Sequence, residues 1–112
     1  MKIHLKVGRK IVFIDSSEIQ YIQSNNIYCD VFLLNGQRIV CTSTLTKLEA
    51  TLKKSNCFQT HRCYIVNKAA IRSVDLGNLS IELKYSEKLI PIARSKKKQL
   101  AASDLIAEIT PQ

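Results

Sequence analysis

Ile27-Tyr28-Cys29-Asp30-Val31-Phe32-Leu33-Leu34-Asn35-Gly36-Gln37-Arg38-Ile39-Val40-Cys41-Thr42-Ser43 contains two β-prone runs separated only by Asn35-Gly36. Asn-Gly supplies the positive φ angles that a tight two-residue turn needs, so residues 27–34 and 37–43 read as an antiparallel hairpin. Moving toward the N-terminus, Ser24, Asn25 and Asn26 form a polar break, and before it residues 18–22 read as a short buried strand with Ile19, Tyr21 and Ile22 as its bulk. Asp15, Ser16 and Ser17 form a turn. Residues 2–7 alternate polar and apolar side chains, Gly8-Arg9 turns the chain, and residues 10–14 resume an apolar run, which predicts an opening hairpin.

Beyond the central hairpin the period changes. Leu45, Leu48 and Leu52 lie at helical spacing across residues 44–54, with Thr44 as the N-cap candidate and Lys53 and Lys54 complementing the C-terminal dipole. Strands are predicted at residues 64–66 and 70–76, followed by a turn at Gly77-Asn78. Residues 79–85 alternate so that Leu79, Ile81, Leu83 and Tyr85 share one face. Residues 89–93 make a last short strand, which Pro91 restricts to an edge or irregular position. A closing helix is expected over residues 95–109, with Ser95 as cap, Leu100, Leu105, Ile106 and Ile109 as its apolar positions, and Pro111 beyond it. The fold class expected is mainly β, with small antiparallel sheets and one or two short helices. At 112 residues, without internal repeat or linker, the chain reads as one domain.

Composition narrows the function. The formal charge is +8 and the pI near 9.5, a field that attracts a polyanion such as nucleic acid, an anionic membrane surface or an acidic protein. No apolar run reaches the roughly 20 residues of a membrane span, and no secretory leader pattern begins the chain. Cys29, Cys41, Cys57 and Cys63 include no C-x-x-C pair, and the only histidines are His4 and His61. Buried thiols in a reducing cytoplasm are therefore expected, with no metal and no cofactor.

Three segments carry candidate chemistry. Thr60-His61-Arg62 lies between Phe58 and the apolar run Tyr64-Ile65-Val66, a setting that can present Arg62 rigidly. Its guanidinium fork matches guanine O6 and N7 in the major groove. His61 suits a role in fixing the turn by hydrogen bonding. Arg94-Ser95-Lys96-Lys97-Lys98 puts four cations where a strand meets a helix. Cations there oppose the macrodipole, and with the free N–H groups of the helix start they suit a phosphate. Gln23-Ser24-Asn25-Asn26-Ile27-Tyr28 is amide-rich, and asparagine pairs with adenine N6 and N7 as readily as it makes turns. No G-x-S-x-G, H-E-x-x-H or glycine-rich phosphate loop is present, and Cys63 with His61 is the one nucleophile pairing, without an evident third group. The chain is expected not to be an enzyme.

Phe58-Gln59-Thr60-His61-Arg62-Cys63-Tyr64-Ile65-Val66-Asn67 resembles the LytTR (LytR/AlgR-type) pattern F-x-R-x-H-R-S-x-x-V-N. It differs in lacking the arginine after Phe58 and in placing Cys63 where serine is usual. Residues 19–28 resemble the family's I-x-Y-I-x-S-x-x-x-Y stretch, Thr44-Leu45-Thr46-Lys47-Leu48 its T-L-x-x-L helix start, and Ile90-Pro91-Ile92-Ala93-Arg94 its I-P-V-S-R end, with Ala93 in place of serine. The resemblance implies an elongated set of small antiparallel sheets whose loops enter successive major grooves, as the output domain of a bacterial transcription regulator. It implies base contacts from Asn25, Asn26, Tyr28, His61, Arg62 and Arg94, and phosphate contacts from Lys68, Ser95, Lys96 and Lys97. It further implies double-stranded DNA as partner, two copies on direct repeats, a monomer or weak dimer in solution, and a receiver domain or other upstream partner outside this chain. The alternative is a protein-interaction or anti-activator module that keeps the fold without DNA recognition.

Overall fold

A computed structural model describes residues 1–101. The strands are β1 (Lys2–Val7), β2 (Lys10–Asp15), β3 (Ile19–Asn25), β4 (Tyr28–Leu33), β5 (Arg38–Cys41), β6 (Cys57–His61), β7 (Tyr64–Asn67), β8 (Ile71–Asp75), β9 (Ser80–Leu83) and β10 (Leu89–Pro91). Helix α1 (Leu45–Thr51) follows β5 and α2 (Arg94–Ala101) follows β10, while short 3-10 turns at Ser16–Glu18 and Lys68–Ala70 lead into β3 and β8. All pairing is antiparallel, in a β1-β2 ribbon, a five-stranded sheet ordered β5-β4-β3-β7-β6 and a three-stranded sheet ordered β10-β9-β8. The molecule measures 46 × 26 × 24 Å, the elongated form that the resemblance implied.

The five-stranded sheet is covered on both faces, which fixes its register, because a slip of one residue would exchange the two sets of apolar side chains. Ile22, Val31, Ile39 and Ile65 pack with Ile3, Leu5 and Ile14 of the ribbon and with Leu45, Leu48 and Leu52 of α1 and its C-cap. Tyr21, Tyr64 and Val66 face the other way, onto Ile71, Ile81, Leu83, Ile90, Ile92 and Leu100. A bulge between Ile19 and Tyr21 lets Ile19 and Ile22 share a face despite being three residues apart. Tyr21 stacks on Phe32, with ring centroids 4.5 Å apart.

Local chemistry sets the element ends. The connection from β4 to β5 runs through residues 34–37 and is longer than the two-residue turn expected: Gly36 alone there takes positive φ, +89°, Asn35 Oδ1 accepts from the Gln37 N–H at 2.9 Å, and the Leu33 N–H donates to Gln37 O at 2.8 Å. Thr44 caps α1 by accepting from the Lys47 N–H at 3.1 Å. Asp15 opens the first 3-10 turn in a reciprocal box with Glu18, and hydrogen bonds from Ser17 hold its carboxyl at about 2.

Several expectations change. Residues 57–61 form a strand, β6, that the sequence pattern does not predict, since Gln59 and Thr60 are polar and a bulge follows Gln59. The predicted Gly77-Asn78 turn is a longer loop, in which Asp75 accepts from the Gly77 and Asn78 N–H groups and Leu79 takes φ of +53°. Tyr85 therefore lies outside β9 and is exposed, while Ile81 and Leu83 keep the buried face. Helix α2 begins at Arg94, so Ser95 falls inside its first turn and does not cap it. Leu105, Ile106 and Ile109 lie outside the described residues.

Asn67 is 2% exposed at the end of β7, where Nδ2 donates to Ile19 O at 2.7 Å and Oδ1 accepts from the Ala69 N–H at 3.0 Å. Asn67→Ala deprives the buried Ile19 carbonyl and the Ala69 N–H of these partners and is expected to cost about 2 kcal/mol. Urea unfolding checks it, through a lower midpoint at unchanged slope.

Candidate nucleic-acid interface

The candidate residues fall on three loops that the fold joins. β6 and β7 form a hairpin in which His61 pairs with Tyr64, leaving Arg62 and Cys63 as its two-residue turn. His61 Nδ1 accepts from the Cys63 N–H at 3.1 Å, and the imidazole meets the Tyr64 ring edge-on at 5.9 Å. The histidine thus shapes its turn, as its sequence context suggested. In the neutral ring this leaves Nε2–H as the remaining donor. Arg62 is exposed at the tip.

The β3–β4 hairpin turns through Asn26 and Ile27, with Asn25 paired to Tyr28. Asn26 has φ of +58°, a conformation asparagine tolerates better than most residues. Asn25, Asn26, Ile27 and Tyr28 are all exposed. The Ser24 N–H donates to Cys63 O at 2.9 Å, which ties this hairpin to the one bearing Arg62.

The third loop joins β10 to α2 and is held from the other side of β6. Thr60 is fully buried; its carbonyl accepts from the Ala93 N–H at 2.9 Å and its hydroxyl donates to Pro91 O at 3.2 Å. Arg94 begins α2 one residue beyond Ala93 and is exposed together with Ser95, Lys97 and Lys98. Residues scattered from Asn25 to Lys97 therefore share one edge, with Arg62 between its two neighbours. That edge carries Asn and Arg side chains suited to base edges and a cationic helix start suited to phosphate.

Two sequence-predicted residues sit differently. Lys68 lies at the far end of β7 from Arg62 and, with Lys53, Lys96, Glu49 and Phe58, lines a cavity of about 370 Å³ between β6 and α2. Lys96 spans both environments. Lys88, from the loop before β10, had no signal beyond a polar stretch; its Nζ stands 5.6 Å from the Tyr64 ring centroid, adding a cation behind the Arg62 hairpin.

His61 Nδ1 is engaged by the backbone of Cys63, and burial raises the thiols of Cys29 and Cys57 to about 11 and that of Cys41 above its usual value. All four cysteines are free. Among the described residues no group of three or more His, Cys, Asp or Glu side chains is placed to hold a metal ion. No helix there is long and apolar enough to cross a membrane.

Comparison with known proteins agrees with this arrangement. The family model described as the LytTr DNA-binding domain matches residues 9–103. The fold is similar to a solved structure of the LytTr DNA-binding domain of a protein described as a methyl-accepting/DNA response regulator from Bacillus cereus. That match has a TM-score of 0.74 and 17% identity, and it covers 94% of this chain and 95% of that one. Curated protein sequences give no match.

Two outcomes test the local assignments. Thr60→Val keeps the shape but removes the bond to Pro91; it is expected to cost about 1 kcal/mol and to raise hydrogen exchange at the Ala93 amide about fivefold, read by NMR. Titration of native protein with an aromatic disulfide near pH 8 is expected to modify Cys63 alone quickly, the three buried thiols following only in denaturant.

Proposed function

The chain belongs to the LytTr DNA-binding domain family, and on that premise we propose that it binds double-stranded DNA sequence-specifically, as a single-domain output module of a bacterial, cytoplasmic transcription regulator. The observation that carries the reading is the joining of three loops on one edge by the Ser24–Cys63 and Ala93–Thr60 backbone hydrogen bonds. A rigid edge of this kind suits base readout, where a planar fork must meet two acceptors at once.

In this reading Arg62 and Arg94 take bases in the major groove, and Asn25, Asn26 and Tyr28 supply a third set of contacts. His61 fixes the Arg62 turn and offers Nε2–H at its edge. Ser95, Lys96 and Lys97 take phosphate at the start of α2, where backbone N–H groups add to the positive charge. Lys68 reaches a flanking phosphate along the side of β6. The net charge of +8 draws the polyanion at long range and makes affinity fall steeply with salt. Two copies on direct repeats, each a monomer or weak dimer before binding, match a surface in which each chain carries its own complete edge. A receiver domain or other upstream partner would supply the signal.

Selection of bound sequences from a random duplex pool at moderate salt tests the reading directly. Recovery of a repeated motif is the expected result, and recovery of none sinks sequence-specific binding. On the recovered motif, Arg62→Ala is expected to cost about 1–3 kcal/mol and relax one base position. Lys97→Ala is expected to weaken all sequences nearly equally and to lower the slope of log affinity against log salt by about one. Identical profiles for the two variants would refute the division between base and phosphate contacts.

A further inference from the structure

We propose that Ile27 is a specificity-determining residue that packs its aliphatic side chain on the C5-methyl group of a thymine in the groove entered by the β3–β4 hairpin; this rests on the DNA-reading function above. Ile27 is 75% exposed, more than any other large apolar residue described. It is the second residue of a two-residue turn, following Asn26 at φ +58° and preceding the half-exposed Tyr28. The core gains little from isoleucine there, since most of the residue lies open to solvent. The hairpin is held by its own ladder and by the Ser24–Cys63 bond, and turns favour small polar residues over β-branched ones.

The position gains from isoleucine only when another molecule covers it. The same Ser24–Cys63 bond sets Ile27 and Arg62 on one edge, so a duplex read by Arg62 meets Ile27 as well. Asn25 and Asn26 can satisfy polar base edges, whereas Ile27 has no polar group to offer. On the base edges of the major groove the apolar feature is the thymine methyl. A β-branched side chain also loses little rotamer freedom on contact, since its χ1 is already restricted.

The test uses the motif recovered by selection, remade as a set of duplexes in which each thymine in turn is replaced by deoxyuridine, which removes the methyl group alone. Wild type is expected to lose about fourfold in affinity at one such position, as the burial of one methyl predicts. Ile27→Ala is expected to bind the thymine duplex about fourfold more weakly and to be indifferent to uridine at that position. Because Ile27 is exposed, the variant should melt with wild type. If every uridine substitution affects wild type and Ile27→Ala alike, the inference is overturned while DNA reading stands. Loss of cooperative binding by a second copy without any change in uridine sensitivity overturns it too, assigning Ile27 to a protein contact. Failure to recover any motif overturns the DNA reading and the inference together.

Discussion

Thr60 is the constraint on which the positive edge depends. A threonine with no exposed surface must find partners for its hydroxyl and its backbone, because an unpaired polar group inside the protein costs as much as several good contacts return. Those partners are Pro91 O and the Ala93 N–H, so the start of α2 is fixed against the end of β6. From there the chain needs two residues to reach Arg62 in one direction and one residue to reach Arg94 in the other. The relative placement of the two arginines is set by main-chain geometry over a few bonds, with no long flexible element between them.

That local clamp relies on a sheet buried on both faces. With the ribbon and α1 on one side and the three-stranded sheet on the other, neither β3 nor β7 can slip without placing an apolar set against the wrong layer. Asn67 reinforces the arrangement by bonding to Ile19 O on the neighbouring strand. The loops at one end of the sheet can then be polar and exposed without loss of position, which is the usual division between a scaffold and the segments that recognise a ligand.

The sequence made the strongest local signals legible. Asn35-Gly36 marked its hairpin, although Gly36 alone takes positive φ and the turn is longer than two residues, and the leucine spacing of α1 with its Thr44 cap left little ambiguity. β6 was hidden because its buried polar residue, Thr60, looks like loop in sequence; the partners that justify its burial are 31 and 33 residues away. Tyr85 followed the alternation of β9 on paper but falls beyond the strand, where it is exposed. The candidate residues themselves were visible as three basic or amide-rich loops. Their convergence was not, since it rests on two backbone hydrogen bonds that leave no trace in side-chain chemistry. Lys88 was invisible too, since its place against the Tyr64 ring is made by folding alone.

Cys63 and Ala93 depart from the pattern that the sequence resembles, and the structure shows what those positions do that a side chain does not decide. Cys63 accepts from the Ser24 N–H through its carbonyl and donates its own N–H to His61. Ala93 donates its N–H to Thr60 and accepts from the Lys96 N–H through its carbonyl. All four bonds are main-chain bonds of those residues, so any L-residue that fits the space preserves them. Replacing a hydroxyl with a thiol or a methyl removes a donor from the edge but leaves Arg62, Arg94 and the asparagine turn where the backbone puts them. Changes at these two positions thus leave the three loops assembled. A change at Thr60 acts on the assembly itself.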